Sequence, residues 1–115
     1  MKYLLLIYSN EANMLSRPKS AVEEVHAAYG AYTEAMTNAG VIVGGERLRP
    51  TASASTVRVA DGKTKVLDGP YAETKEQLGG YYMIDVPDLD AAISWAARCP
   101  GVSHGTIEVR PVWPM

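Results

Sequence analysis

Residues 2–8 read KYLLLIY, and this stretch decides the fold. Successive positions are apolar, so both faces of an extended chain are hydrophobic, and the length is typical of a strand buried inside a sheet. Residues 81–84, YYMI, show the same two-sided pattern. The sequence therefore predicts a sheet with two central strands and with cover on both faces.

Outward from these two runs, shorter apolar segments predict further strands. Asp61-Gly62 is a strong hairpin signal, because both positions of that turn need positive φ. It joins two of the strands into a hairpin in the middle of the chain. The complete set of predicted strands is 2–8, 41–43, 55–59, 64–67, 81–86 and 105–113.

Two helices are predicted between these strands. Ser20, with Glu23 three residues later, matches a capping box, and the apolar stripe that follows runs to a closing Gly40. Asp88 is the predicted N-cap of the second helix, which stops at residues 99–101, Cys-Pro-Gly. The order predicts one α+β domain over the whole chain, a ferredoxin-like βαββαβ fold with an inserted β-hairpin strand.

Two helices cover only one face of such a sheet. The two-sided apolar runs then leave a hydrophobic second face, and a large exposed apolar patch is rare on a monomer. A second copy packed sheet to sheet is the simplest cover, so we predict a homodimer.

Composition and charge exclude several classes of function. The chain carries 11 Lys or Arg and 13 Asp or Glu, a net charge of −2, whereas a nucleic-acid surface needs a cationic field. No segment approaches the roughly 20 apolar residues of a membrane span. Cys99 is the only cysteine, which suits a reducing compartment. We therefore predict a cytoplasmic protein that binds neither nucleic acid nor membrane.

A long motif occupies the middle of the chain: residues 68–76 read DGPYAETKE, and residues 78–82 read LGGYY. This motif resembles that of the YCII-related superfamily in its DGPF branch, with Tyr71 at the position of the Phe. GERL at 45–48 and EVRPV at 108–112 also resemble the family, so the resemblance runs the length of the chain. It implies a dimeric α/β barrel built on a ferredoxin-like sheet.

The resemblance implies two associations for function. Members of the broader superfamily have been proposed to be enzymes that use a His–Asp pair, and DGPF members are associated with extracytoplasmic-function sigma factors. The proposed histidine lies about three turns before the closing glycine, where this chain has Tyr29, and His26 lies one turn earlier. Either His26 has taken the role, or Tyr29 replaces the histidine, or this branch lacks the site.

The residues themselves offer candidates for chemistry. Asp68 is the leading general acid or base, with His26 or Tyr29 as its helper, but Asp68 is also a typical turn residue and His26 a histidine that flanks the apolar stripe. Arg47 is either an anion anchor or an ion-pair partner of a nearby glutamate. Substrate-binding residues are predicted at Arg47, Tyr71, Glu73 and Lys75, in a cleft between the first helix and the 68–80 loop. The sequence predicts neither a metal site nor a cofactor.

Two functions remain open from the sequence. The first is a protein that binds a small polar metabolite, or acts on it by general acid–base chemistry, in a dimer-associated cleft. The second is a non-catalytic accessory protein that meets an extracytoplasmic-function sigma factor or another regulator. A deep polar pocket favours the first hypothesis, whereas a shallow surface with an exposed apolar strip favours the second.

Overall fold

Six strands form two separate sheets in the computed structural model, which describes residues 1–115. The strands are β1 (Lys2–Ser9), β2 (Ile42–Arg47), β3 (Ser55–Ala60), β4 (Lys63–Asp68), β5 (Gln77–Asp85) and β6 (Gly105–Pro111). Four of them form an antiparallel sheet in the order β2-β5-β1-β6, while β3 and β4 pair only with each other. The predicted ferredoxin-like α+β class is confirmed, with the hairpin as an insertion.

Two long helices pack on one face of the four-stranded sheet. The helices are α1 (Glu11–Leu15), α2 (Lys19–Asn38) and α3 (Leu89–Arg98). Leu5, Met36 and Ile84 are fully buried where α2 meets the sheet. The buried core comprises Tyr3, Leu5, Tyr32, Met36, Ile84, Val86, Ala92, Ala96 and Cys99. None of the three helices combines the length and the hydropathy that crossing a lipid bilayer requires.

Alternation along the strands gives the sheet two different faces. Odd-numbered residues of β1, such as Leu5, pack under the helices, so the even-numbered residues point to the opposite side. The β1–β5 register sets these even-numbered residues beside apolar partners on β5. The helices leave this second side, the open face, uncovered; it is defined by Leu4, Leu6, Tyr81 and Met83.

Most predicted turns and helix ends are confirmed. Gly40 follows α2 with φ 71°, and the Asp61-Gly62 turn has φ values of 53° and 75°. Asp88 caps α3, since its Oδ1 accepts a hydrogen bond from the backbone N–H of Ala91 at 2.9 Å. These features depend on neighbouring residues only, which is why the sequence alone identifies them.

The predicted start of the first long helix is wrong. Instead of a capping box at Ser20 and Glu23, α2 begins at Lys19 with Pro18 in the N-cap position and no side-chain cap. The ring of Pro18 holds φ at −65°, so the chain is already set to enter the helix and Ser20 lies within the first turn.

The β3–β4 ribbon, residues 55–68, projects from the rest of the molecule. At its root, Gly69 N donates to Ala54 O at 2.6 Å. Every residue of β4 is exposed. The radius of gyration is 16.1 Å, whereas a compact domain of this length has roughly 13 Å. The inserted hairpin is therefore a projecting ribbon that does not contribute to the hydrophobic core.

Candidate functional site

A cavity of about 520 Å³ opens between the first half of α2 and the sheet. In the second half of α2, Tyr32 and Met36 are buried against the core, whereas no residue of the first half is buried. The helix therefore leaves space above the ends of β2 and β5. Residues from α1 and from the 3-10 turn Pro100–Ser103 line its sides.

Glycines on two neighbouring strands form the floor of the cavity. Gly44 and Gly45 lie on β2, and Gly79 and Gly80 lie on β5. A Cβ atom at Gly45 would lie only 2.7 Å from the carbonyl oxygen of Tyr81. The ring of Tyr82 also lies beside Gly45, with Cδ1 only 2.8 Å from that Cβ position, so the floor combines glycine backbone with one aromatic ring.

One face of α2 supplies the opposite wall. His26, Tyr29 and Thr33 follow each other at spacings of three and four, so they share this face of the helix. Thr33 Oγ1 lies 2.9 Å from the hydroxyl oxygen of Tyr82, and this hydrogen bond ties the helical wall to the sheet. The wall is therefore polar and fixed in position.

His26 meets Arg47 across the mouth of the cavity. Arg47 Nη1 lies 3.1 Å from His26 Nε2, and both residues are exposed to solvent. Because a guanidinium carries donors only, Nε2 accepts the hydrogen bond, and the neutral imidazole carries its proton on Nδ1. The basic nitrogen of His26 can accept a proton from a ligand, and the permanent cation of Arg47 can bind the anion that results.

Tyr29 lies deeper in the cavity than His26, next to Cys99. Burial raises the pKa of the Tyr29 hydroxyl, and the neighbouring thiol raises it further. Burial also raises the pKa of Cys99, whose Sγ lies 3.8 Å from the hydroxyl oxygen. Both groups keep their protons at neutral pH. Tyr29 can therefore donate a hydrogen bond to a ligand, but it is unsuited to the role of a base.

The cavity lining is cationic although the whole protein is acidic. Arg17 from the segment after α1 and Arg47 from β2 line the cavity, against a single acidic residue, Glu46, while the chain has a net charge of −2. The β2–β5 register places Glu46 opposite Tyr81, a residue of the open face. His104 adds an imidazole at the rim. This charge distribution favours an anionic ligand.

A second groove, of about 610 Å³, runs along the outer side of α2. Three alanines, Ala28, Ala31 and Ala35, form much of its helical side, and it is more open to solvent than the first cavity. Ligand sites are usually enclosed, and the groove is the more open of the two although Glu24, Arg98 and His104 line it. No three His, Cys, Asp or Glu side chains come together in a way that could hold a metal ion. The helix–sheet cavity is therefore the candidate site.

The structure brings three of the predicted site residues together and leaves the others outside. His26, Tyr29 and Arg47 line the cavity. β5 begins at Gln77, so only Gly79 and Gly80 of the predicted 68–80 loop reach the cavity, and they do so as strand residues. The remaining four are exposed and do not line the cavity: Asp68, Tyr71, Glu73 and Lys75. Their roles stay predictions that no contact with the cavity supports.

Sequence reasoning misses Met14, Arg17 and His104, which also line the cavity. Met14 and Arg17 are positioned by α1, and the capping residue of this helix, Asn10, is a signal visible in the sequence. His104 follows a 3-10 turn, and only the tertiary packing brings it near α2. No local pattern identifies it.

Hydrogen bonds hold α1 against the root of the ribbon. Glu11 Oε1 accepts from the backbone N–H of Thr51 at 2.8 Å, and Glu11 Oε2 accepts from Thr51 Oγ1 at 2.7 Å. The backbone N–H of Glu11 also donates to Gln77 Oε1 at 2.9 Å. These bonds keep Met14 and Arg17 at the rim of the cavity.

Comparison with known proteins agrees with this architecture. The model of the YCII-related domain matches residues 1–115. An uncharacterised protein of Rhizobium meliloti (strain 1021) is 40% identical over 114 residues, which cover 97% of this chain and 92% of that protein.

Among solved structures, 5-chloro-2-hydroxyhydroquinone dehydrochlorinase (TftG) from Burkholderia phenoliruptrix AC1100, in complex with 2,5-dihydroxybenzoquinone, has the same fold. It aligns with a TM-score of 0.53 and 17% identity, over 98% of this chain and 94% of that one. The resemblance carried by the central motif is confirmed for the superfamily, while the DGPF branch stays a prediction. The chain belongs to the YCII-related domain family.

Proposed function

We propose that the protein binds a small, planar anion in the helix–sheet cavity and acts on it by general acid–base chemistry, with His26 as the base. One observation carries this proposal: the His26–Arg47 pair stands at the mouth of a cavity whose floor is glycine backbone beside the ring of Tyr82. A base, a fixed cation and a flat surface are what proton transfer on a planar anion requires.

In this mechanism the proton goes to His26 Nε2. Arg47 Nη1 donates a hydrogen bond to the lone pair of that nitrogen at 3.1 Å. An anionic ligand competes for the guanidinium and so frees the lone pair of Nε2. The substrate then gives a proton to Nε2, and the bond's electron pair stays on the substrate as an enolate or phenolate. Arg47 and the protonated hydroxyl of Tyr29 stabilise that charge. Return of the proton from Nε2 to another atom of the substrate completes an isomerisation.

The preference for a planar ligand rests on the shape of the floor. The floor consists of the backbone at Gly45 and Gly80 and the flat ring of Tyr82, and a cavity of about 520 Å³ admits a substituted single ring. The fold neighbour TftG is named for acting on a chlorinated hydroxyhydroquinone, and its structure holds 2,5-dihydroxybenzoquinone, a planar ring. At 17% identity that likeness shows the fold alone, so the support for a ring in this chain comes from its own cavity.

A thermal-shift screen tests the binding step. The probes are small planar carboxylates, hydroxybenzoates and hydroxyquinones, with neutral amides and amines as the comparison set. A ligand present at about 100 times its Kd stabilises wild type by roughly 2.7 kcal/mol. We expect Arg47→Gln to lose most of this stabilisation and Asp68→Asn to keep it, because Asp68 lies outside the cavity.

The opposite pattern would contradict the proposal. A ligand that stabilises Arg47→Gln as strongly as wild type removes Arg47 from the site. A ligand effect that is lost in Asp68→Asn and kept in Arg47→Gln assigns binding to the ribbon and the segment after it.

The acid–base step is tested by NMR in D2O with a ligand from that screen. Wild type should exchange a carbon-bound proton of the ligand for deuterium, and His26→Gln should bind the ligand without exchanging it. Exchange at the wild-type rate in His26→Gln would show that another group is the base.

We further propose that two copies pair through the open face into a dimeric α/β barrel. Leu4 and Leu6 lie on this face beside Met83 and Tyr81, and the helices cover only the other side. Burying such a patch stabilises the pair by about 25 cal/mol per Å² of apolar surface. Size exclusion with light scattering tests the proposal, and a particle that stays at the 12.4 kDa of one chain would refute it.

An accessory role linked to an extracytoplasmic-function sigma factor is the second candidate function. One observation favours it: Val57, Val59 and Val66 form an exposed apolar strip on the ribbon. This role requires a regulator that binds the ribbon with an affinity unaffected by Arg47→Gln. A regulator that binds equally well to a chain without residues 55–68 would exclude the strip as its docking site.

A further inference from the structure

We infer that the apolar face of the β3–β4 ribbon packs on a second copy of this chain. The cross-strand register sorts its side chains onto two faces. Val57 lies opposite Val66, and Val59 shares their face, whereas Arg58 lies opposite Lys65 on the other face. The ribbon therefore has an apolar face, formed by the three valines beside Thr64, and a cationic face that also carries Leu67.

The apolar face has no cover within one chain. Val57, Val59 and Val66 are 61%, 70% and 59% exposed. β3 and β4 pair with no other strand, and a two-stranded ribbon is marginally stable in water by itself. A surface that buries the three valines stabilises the ribbon and removes the exposed apolar patch in one step.

The cationic face needs no such cover. The guanidinium of Arg58 lies 5.3 Å from the ring centroid of Tyr71, a cation–π contact made within the same chain. Lys63 and Lys65 are exposed, and their ammonium groups are well solvated. The docking face is therefore the one that carries the valines.

Surface area argues for a second copy as the occupant. The accessible surface of the chain is 8116 Å², whereas a folded monomer of this mass exposes roughly 6,100 Å². The excess of roughly 2,000 Å² is more than the 800 Å² or so that one partner contributes to a standard interface, and it is of the size that permanent homodimers bury. A transient regulator would leave this surface exposed for most of the time.

The reach of the ribbon is sufficient for this role. Each strand has 6 residues, so its tip lies roughly 20 Å from its root. In a two-fold symmetric pair, each ribbon crosses onto the partner, and the two contacts are equivalent. The ribbons thus add a second contact to the one proposed for the open face.

Deleting residues 55–68 is the direct test. Ala54 O and Gly69 N are already hydrogen-bonded at 2.6 Å, so joining these residues closes the chain without touching the core. The Kd of the dimer, measured by analytical ultracentrifugation, should rise by about tenfold or more, while the helical circular dichroism signal is unchanged.

A matched pair of double variants keeps the test decisive if the deletion fails to fold. Val57→Thr with Val66→Thr keeps shape and strand propensity but removes apolar surface, and it should also weaken the dimer. Arg58→Thr with Lys65→Thr also introduces two threonines, but on the opposite face. It should leave the Kd of the dimer within about twofold of wild type. A wild-type chain that stays monomeric at high micromolar concentration overturns the inference. So does an unchanged Kd in the deletion, or in the valine pair.

Discussion

The four-stranded sheet and the β3–β4 ribbon are both regular antiparallel structures, yet only the sheet is packed. Leu5 in β1 has no exposed surface, whereas Val66 in β4 is 59% exposed. Backbone pairing runs along both regions, unbroken in the ribbon and with a register shift between Ile7 and Tyr8 in the sheet. The difference shows that pairing and packing are separate steps: hydrogen bonds make a ribbon, but apolar burial needs a second layer. α2 and α3 supply that layer to the sheet alone.

The largest expected effect separates the two regions directly. Leu5→Ala removes a side chain buried between sheet and helices and leaves a cavity, so the free energy of unfolding should fall by about 2–5 kcal/mol. Val66→Ala should lower it by less than about 0.5 kcal/mol where the chain is monomeric, because little burial is lost. Urea unfolding measures both. A loss under about 1 kcal/mol for Leu5→Ala would show that β1 is not central to the core.

The elements of both regions can be predicted from the sequence because their signals are local. Residues 2–8 predict β1, Asp61-Gly62 predicts the hairpin turn, and Asp88 predicts the start of α3, each from neighbouring residues only. The separation of the ribbon from the sheet cannot be predicted in this way. Alternation along Val57 and Val59 tells which face is apolar, but not what covers it.

The candidate site is predictable where its residues share one element. His26 and Tyr29 lie on one face of α2 by their spacing, and sequence reasoning selects both. Asp68 belongs to the most distinctive motif of the chain, but a distinctive motif carries no information on its distance from a cavity. Arg17 follows α1, whose N-cap Asn10 is visible in the sequence, whereas His104 reaches the rim through the packing of other segments, which no local pattern describes.

A smaller effect is expected where the sheet is most tightly packed, at the cavity floor. Gly45→Ala places a Cβ atom 2.8 Å from the ring of Tyr82, and we expect a loss of about 1–3 kcal/mol from the forced displacement. Gly44→Ala is the matched control, because nothing lies within 4 Å of its Cβ position. Equal urea midpoints for the two variants would mean that β2 and β5 are less closely packed than described.

The hydrogen bonds of Glu11 to Thr51, which connect α1 to the root of the ribbon, should contribute less to stability than Leu5 in the core or Gly45 at the cavity floor. Glu11→Gln replaces one of the two carboxylate oxygens that accept from Thr51, so it should cost about 1 kcal/mol and weaken ligand binding by displacing Arg17 from the rim. Glu23→Gln makes the same change at an exposed position of α2 and should change neither property. The measurements are urea unfolding and the ligand-induced thermal shift. Identical results for the two variants would show that α1 is held without Glu11.

The smallest expected effect is a pH dependence that belongs to the packed region alone. Burial raises the pKa of Tyr29 and of Tyr32 above the ordinary value of 10.0, and it raises the pKa of the Cys99 thiol above 9.0. As the pH rises, the unfolded chain loses these protons before the folded chain does. The contribution of the three groups to stability is therefore complete below about pH 9 and is lost progressively above it.

The contribution of these groups to the urea midpoint should accordingly stay constant from about pH 7 to about pH 9 and fall from there to about pH 10.5. Cys99→Ala should remove the early part of the fall, because the thiol has the lowest ordinary pKa of the three, and Tyr29→Phe should reduce the later part. Tyr71→Phe is the control, since Tyr71 is 75% exposed and lies beside the ribbon. If Tyr71→Phe abolished the fall while Cys99→Ala and Tyr29→Phe left it intact, the titrating groups would lie outside the core, and the contrast between a packed sheet and an uncovered ribbon would fail.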